Sequence, residues 1–169
     1  MPTHTARSIS GYITYLAGGS ISWSSRRQTI IARSTAESEI YATDECCKHL
    51  LHLKKTFTYH GLHHCAAPLQ LYNDNMACVL WTKSTTTKGL RHITIRENAT
   101  RESVHDNTIR VDHVGDRLNS SDLLTKEFAN DPQHFQDLWG ASMSVPPSPP
   151  NFPHCRSCSC RNIYWFFFL

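Results

Sequence analysis

Residues 34–59, STAESEIYATDECCKHLLHLKKTFTY, have the pattern of one long helix that packs one face on a core. Ser34, followed three residues later by Glu37, has the spacing of a capping box at a helix N-terminus. Apolar residues then recur at intervals of three and four, as in a helix that buries one face. These residues are Ala42, Cys46, Leu50, Leu53 and Phe57.

Glu39 is the residue of this helix that needs an explanation. At about 100° per residue, Glu39 projects near the middle of the apolar stripe, whereas Glu37 projects to the opposite side. A carboxylate that faces a core costs free energy unless it is paired, hydrogen-bonded or bound to a metal. Glu37 is explained as a capping residue. For Glu39, an ion pair with a buried arginine and a place in a functional site both stay open.

Length and composition fit one domain with a tail. The chain has 169 residues, of which 40% are hydrophobic and 18% charged, and its net charge of +3 does not demand a nucleic-acid partner. Its first ten residues lack the apolar segment of a secretory signal, and no apolar run approaches the roughly 20 residues of a membrane helix. We therefore expect an intracellular protein, of the cytoplasm or nucleus, without a membrane partner. Cys46, Cys47 and Cys78 lie in periodic apolar segments and are predicted to be reduced core residues.

Short strands and helices alternate along the chain, which predicts an α/β fold. The predicted strands are 11–16, 20–24, 29–32, 69–73 and 108–114, and the other predicted helices are 75–83, 90–106, 120–126 and 131–140.

The composition changes near Ser142. Residues 144–155, SVPPSPPNFPHC, contain five prolines, so they cannot pack as a regular element. We predict a domain over residues 7–141 and a disordered Pro/Cys-rich tail over 142–169. The tail also carries residue types of a zinc site, namely His154, Cys155, Cys158 and Cys160. A similar loop group, His60, His63, His64 and Cys65, is expected to be solvated.

Two further acidic residues stand at the ends of predicted elements. Asp74 follows a strand, and Asp122 lies in the first turn of a helix. Each has a structural explanation: Asp74 as a turn or capping residue, and Asp122 as favourable charge at a helix N-terminus, worth about 0.3–1 kcal/mol. Together with Glu39, however, they are placed as a carboxylate cluster that binds divalent metal at one sheet edge would require.

Five ordered segments between about residues 7 and 140 resemble the ribonuclease H domain of copia-type LTR retrotransposon Pol polyproteins. They are RSISGYITYLAGGSISWSSRRQ, IARSTAESEIYAT, LYNDNMACV, LRHITIRENATRE and NSSDLLTKEF.

The resemblance implies a ribonuclease H-like mixed sheet with flanking helices, and it implies a site. Glu39, Asp74 and Asp122 match the family's catalytic carboxylates, which hold two magnesium ions against an RNA–DNA hybrid. His113 resembles a loop histidine that helps to exchange product and metal, although a strand-end histidine with a partly buried ring is the alternative. The implied partners are the hybrid itself and the upstream reverse transcriptase region of an intact polyprotein.

The sequence departs from the family at its N-terminus. The family's first strand is central to the sheet and carries a catalytic Asp, yet no Asp or Glu precedes Glu37 here. We therefore expect an N-terminally truncated copy without the first strand, with three carboxylates instead of four. Whether this chain is an enzyme stays open, and we expect an inactive remnant of the ribonuclease. The alternatives are a catalytically dead nucleic-acid-binding remnant and a small zinc-binding interaction protein. In a nucleic-acid-binding protein, Arg26 and Arg27, with Trp23 nearby, would contact the nucleic-acid backbone. The alternative for this arginine pair is a solvated turn.

Overall fold

The structure is a computed structural model that describes residues 7–16, 19–61, 68–84, 95–128, 130–143 and 163–168. Its strands are β1 (Ile9–Leu16), β2 (Gly19–Arg27), β3 (Leu69–Asn73), β4 (Ile109–His113) and β5 (Ile163–Phe168). Its α-helices are α1 (Thr35–Tyr59), α2 (Met76–Lys83), α3 (Ile95–His105), α4 (Asp122–Thr125) and α5 (Pro132–Met143), with a 3-10 turn at Asp116–Leu118.

The five strands form one mixed sheet in the order β2-β1-β5-β3-β4. β1 and β2 make an antiparallel hairpin, whereas β3 and β4 are parallel. The middle strand, β5, is antiparallel to β1 and parallel to β3. The predicted α/β class, a mixed sheet with flanking helices of the ribonuclease H-like kind, is confirmed.

The middle strand comes from the C-terminal end of the chain. Phe166 is in register with Ile13 of β1, and Trp165 is in register with Leu71 of β3. The expectation of a tail without regular structure therefore does not hold for Ile163–Phe168, because paired backbone groups on both sides give this apolar segment a place in the sheet. The Pro-rich run, the tail cysteines and most of the histidine-rich loop (63–65) lie outside the described residues. The domain boundary near Ser142 stays a prediction.

Helix α1 begins and packs as its sequence predicts. The Ser34 hydroxyl oxygen accepts a hydrogen bond from the Glu37 backbone N–H at 3.2 Å. The Glu37 carboxylate accepts from the Arg33 N–H at 2.6 Å, one residue earlier than in a standard capping box. Ala42, Cys46 and Leu50 are fully buried in the main core cluster, which also includes residues of α2, β3 and β4.

The two faces of β1 carry different helices. Side chains alternate across a strand, and the Tyr12 ring packs on His49 of α1, with ring centroids 4.9 Å apart. On the opposite face, an added Cβ at Gly11 would meet Thr125 and Leu124 of α4. The Ser25 hydroxyl of β2 donates to the Leu124 carbonyl oxygen at 2.7 Å, which also ties α4 to this hairpin.

The predicted strand at residues 29–32 is wrong, since these residues form a connection between β2 and α1. Strand β2 extends to Arg27, and the buried Gln28 then anchors the chain. Its backbone N–H donates to the Ser8 carbonyl oxygen at 2.8 Å. Its side-chain amide donates to the Ser38 carbonyl oxygen at 2.9 Å. Ile31, which suggested a strand, is 63% exposed.

Cys46, Cys47 and Cys78 are buried and free, as predicted for reduced core residues. Among the described helices, none has the length and apolar character that crossing a bilayer requires.

The close approach of α4 to Gly11 predicts a site where added volume is harmful. A Cβ at Gly11 would lie 2.5 Å from Thr125 Cγ2 and 3.2 Å from Leu124 Cβ. Gly11→Ala should therefore lower the free energy of unfolding by about 1–3 kcal/mol, measured by urea denaturation. Gly115→Ala is the matched control, because nothing lies within 4 Å of its added Cβ, and it should change stability by less than about 0.5 kcal/mol. Equal effects of the two substitutions would contradict the packing of α4 on β1.

Candidate active site

Glu39, Asp74 and Asp122 lie near enough to one another in the structure for their charges to interact. Asp74 directly follows β3, Asp122 begins α4, and Glu39 lies in the second turn of α1. Burial raises the pKa of Glu39 to about 8, and the negative charges of Asp74 and Asp122 add to that increase. The charge of one carboxylate acts on another only over a short range. Three elements that are distant in sequence therefore converge on one acidic cluster.

Asp74 shows the same mutual repulsion. Burial raises its pKa to about 6, and the charges of Asp122 and Asp116 also raise this pKa. The positive charge of Lys126 opposes the increase for both Asp74 and Glu39. Carboxylates that crowd together in a half-buried position favour protonation or a nearby cation, and in this chain a lysine supplies positive charge.

Asp122 is the most firmly held member of the cluster. Its side chain is 2% exposed, and the Lys126 ammonium donates to Asp122 Oδ2 at 2.8 Å. The buried Asn119 amide donates to Asp122 Oδ1 at 2.5 Å and thus satisfies the other oxygen. Burial still raises the pKa of Asp122, although Lys126 opposes this effect.

His113 lies beside the cluster at the end of β4. Its Nε2 donates a hydrogen bond to the backbone carbonyl oxygen of Asp74 at 2.8 Å, and its side chain is exposed. The parallel pairing of β3 with β4 places it there, because Asn73 and His113 are in register. The strand-end position of the structural alternative therefore holds, although the side chain is exposed and not partly buried. A role in exchanging product or metal stays a prediction.

A buried polar network fixes α1 against β3. The Thr43 hydroxyl donates to the Glu39 carbonyl oxygen at 2.8 Å and accepts from the Asn73 amide at 3.1 Å. Asn73 Oδ1 accepts in turn from the Asn75 backbone N–H at 2.7 Å. Because Glu39 and Asp74 lie next to these bonds, the network sets the separation of their two backbone segments.

Sequence reasoning gave Lys126 and Asn119 no role. Lys126 lies four residues after Asp122, a spacing at which opposite charges meet on a helix, so this signal was present in the segment NSSDLLTKEF. Asn119 precedes the helix and has no periodic signal. Its contribution depends on a local turn in which Asn119 Oδ1 also accepts from the Ser121 N–H at 3.1 Å.

The oxygen donors of the cluster suit magnesium, but their arrangement does not by itself make a magnesium site. Glu39 Oε2 is buried without a hydrogen-bond partner among the described residues. This is the state expected of a carboxylate oxygen that binds a cation. Yet nowhere in the described part of the chain are three or more His, Cys, Asp or Glu side chains grouped so that they could hold a metal ion. The three carboxylates as metal ligands therefore stay a prediction.

Comparison with known proteins identifies relatives among mobile genetic elements. Over 121 residues, or 71% of the chain, it is 32% identical to the retrovirus-related Pol polyprotein from transposon TNT 1-94 of Nicotiana tabacum. The chain is a homologue of retrotransposon Pol polyproteins. Those from transposons RE1 and RE2 of Arabidopsis thaliana are each 31% identical to it over 143 residues, or 83% of the chain.

This homology with Pol polyproteins covers a small part of each relative. The chain spans 9% of the tobacco polyprotein and 10% of each Arabidopsis polyprotein. No protein-family model matches the chain, and no solved structure matches it. The predicted relationship to retrotransposon Pol polyproteins is confirmed, whereas the assignment to their ribonuclease H domain stays a prediction.

The raised pKa of Glu39 predicts a stability that falls as pH rises. The folded chain favours protonated Glu39, so this contribution is complete below the ordinary pKa of 4.5 and is lost as pH rises through about 8. From pH 5 to pH 9 the free energy of unfolding of the unmodified chain should fall. In Glu39→Gln this fall should be smaller by on the order of 2 kcal/mol, a figure that allows for the partial exposure of the side chain. The measurement is urea denaturation across this pH range.

Glu37→Gln serves as the control for this pH series. Glu37 caps the same helix, so its substitution should cost about 1 kcal/mol. An unmodified pH dependence in Glu39→Gln would show that the folded chain does not raise the pKa of Glu39.

Proposed function

We propose that this chain is a ribonuclease H-type domain derived from a retrotransposon Pol polyprotein, and that the chain itself does not hydrolyse RNA appreciably. The observation that carries the proposal is the electrostatic coupling of Glu39, Asp74 and Asp122. These are the positions of the family's carboxylates. The homology to Pol polyproteins and the mixed sheet support the same origin.

In the intact family, magnesium bound by carboxylates supplies activated water and stabilises the leaving 3′-oxygen of the RNA strand. Here three carboxylates match the family's positions, Asp116 is a further acidic neighbour of Asp74 and Asp122, and the middle strand, IYWFFF, has no acidic residue. The Lys126 ammonium already forms an ion pair with one of the three. A cation entering the cluster would have to compete with this ammonium for the same oxygen atoms. We expect weak magnesium binding and loss of hydrolysis because one carboxylate of the family has no match in this chain.

An RNA–DNA hybrid is the partner we propose, held through its phosphates. Arg26 and Arg27 are exposed at the end of β2, and Trp23 on the same strand is 66% exposed. The Ser25 hydroxyl, next to this arginine pair, bonds the Leu124 carbonyl oxygen of α4, the helix that begins at Asp122. Arginines position a nucleic-acid backbone without reading its sequence. Within a polyprotein, the upstream reverse transcriptase region would be the neighbour that produces such hybrids.

The 169-residue chain should release no labelled RNA from an RNA–DNA hybrid above background when magnesium is present. The reason is that an incomplete carboxylate set neither binds the metal tightly nor positions the attacking water. The measurement compares release with and without EDTA, for the unmodified chain and for Glu39→Gln.

Glu37→Gln is the matched control in this assay, because it changes a neighbouring carboxylate that caps the helix. EDTA-sensitive cleavage that is lost in Glu39→Gln but kept in Glu37→Gln would show that three carboxylates suffice. The proposal of an inactive chain would then be wrong, while the ribonuclease H origin would be strengthened.

Hybrid binding should persist without cleavage and should depend on the arginine pair. Replacing Arg26 and Arg27 by Ala should weaken binding about tenfold and reduce the steepness of its salt dependence by about 2, since two phosphate contacts are lost. Fluorescence anisotropy with a labelled hybrid at several salt concentrations measures both. Replacing Lys54 and Lys55 by Ala, which removes two positive charges from the far end of α1, should have a much smaller effect. Equal losses in the two double variants would mean that net charge alone determines binding.

A zinc-binding interaction protein is the alternative function. Its residues, His154, Cys155, Cys158 and Cys160, lie outside the described part of the chain. Stoichiometric zinc in the purified protein would favour it.

A further inference from the structure

We propose that the gap between β1 and β3 is a strand-binding groove, and that the C-terminal segment Ile163–Phe168 is the ligand that occupies it and thereby assembles the acidic cluster. This inference depends on strand pairing and not on nuclease activity, so it can fail or succeed independently of the proposed function.

The groove has two backbone edges that face the same segment. Six residues of β1, Gly11–Leu16, are in register with β5, and four residues of β3, Gln70–Asn73, are in register with it on the other side. In the sheet order, β1 and β3 are not neighbours of each other. Without an occupant, both strands would present a row of unpaired N–H and C=O groups. A single extended segment satisfies both rows.

The composition of the segment suits this role. Its sequence, IYWFFF, consists of β-branched and aromatic residues with high strand propensity, and it contains no Pro, Gly or charge. Recognition by strand addition depends mainly on main-chain hydrogen bonds, so a segment remote in sequence can act as the ligand. The 19 residues from Ser144 to Asn162 separate it from α5 along the chain.

The two halves of the sheet that β5 joins carry different parts of the acidic cluster. The β1–β2 hairpin holds α4, through Gly11 and the Ser25 hydroxyl, and α4 carries Asp122 with its partner Lys126 close behind. The β3–β4 pair ends at Asp74 and His113. Helix α1, which carries Glu39, contacts both β1 and β5. Occupancy of the groove therefore sets how closely Asp74 approaches Asp122.

The ligand completes the sheet without completing the carboxylate set. Phe167 is in register with Asn73, the residue before Asp74, and Phe168 is in register with Gly11. No residue of Ile163–Phe168 is acidic. The segment thus supplies backbone pairing next to the cluster and no carboxylate.

The direct test is nuclear magnetic resonance of the full chain. Backbone through-space contacts should connect Trp165 with Leu71 and Phe166 with Ile13. A mixture of two differently labelled samples should give no such contacts between copies. Absence of these contacts would overturn the proposal. Contacts only between copies would also overturn it, because the occupant would then be a second molecule.

A matched pair of variants tests the dependence of the cluster on the segment. Phe166→Pro removes a backbone donor from a central strand and should speed amide exchange in β1 and β3 by at least about tenfold. It should also shift the amide resonances of Asp74 and Asp122. Phe166→Tyr keeps the donor and should leave exchange within about twofold of the unmodified chain.

Addition of a free peptide distinguishes loss of the ligand from general misfolding of the proline variant. A peptide with the sequence of residues 162–169, made soluble by terminal lysines, should restore slow exchange in β1 and β3. Unchanged exchange in Phe166→Pro would overturn the proposal, as would lost protection that the peptide does not restore.

Discussion

The sheet is continuous because one central strand satisfies backbone groups on both of its sides. β5 pairs with β1 in one direction and with β3 in the other. Unpaired backbone donors and acceptors inside a fold are costly, so the hairpin half and the parallel half depend on this strand for their junction. The acidic cluster lies across the same junction, with Asp74 after β3 and Asp122 on the helix that packs against β1. Architecture and site are therefore subject to one constraint.

Electrostatic repulsion is the second determinant of the site. Burial and mutual charge raise the pKa of Glu39 and of Asp74, which means that the folded chain favours protonation of this cluster. The fold opposes the repulsion locally: Lys126 and Asn119 donate to the two oxygens of Asp122, and the Thr43–Asn73 bond holds the backbone near Glu39 and Asp74 in place. The lysine thus supplies positive charge within a crowded group of carboxylates.

Much of the fold could be predicted from local patterns. Helix α1 and its Ser34 cap followed from apolar spacing and capping chemistry, and β3 followed from a short apolar run before Asp74. The strand predicted at residues 29–32 failed because Gln28 makes long-range hydrogen bonds that no local pattern reveals. The strand Ile163–Phe168 was missed for a related reason. Its apolar run beside a Pro-rich segment has no partner nearby in sequence, and strand pairing is a tertiary property.

The sequence by itself determined which carboxylates stand out. Glu39 lies on the apolar face of a helix, and Asp74 and Asp122 lie at element ends, so periodicity and element boundaries were enough to single them out. Only the tertiary structure decided that Lys126 would pair with Asp122, that His113 would bond the Asp74 backbone, and that the chain's C-terminus would fill the centre of the sheet. The physical reason is range. Helix phase and capping depend on residues within about one or two turns, whereas strand pairing and charge contacts depend on which distant segments the folded chain brings together.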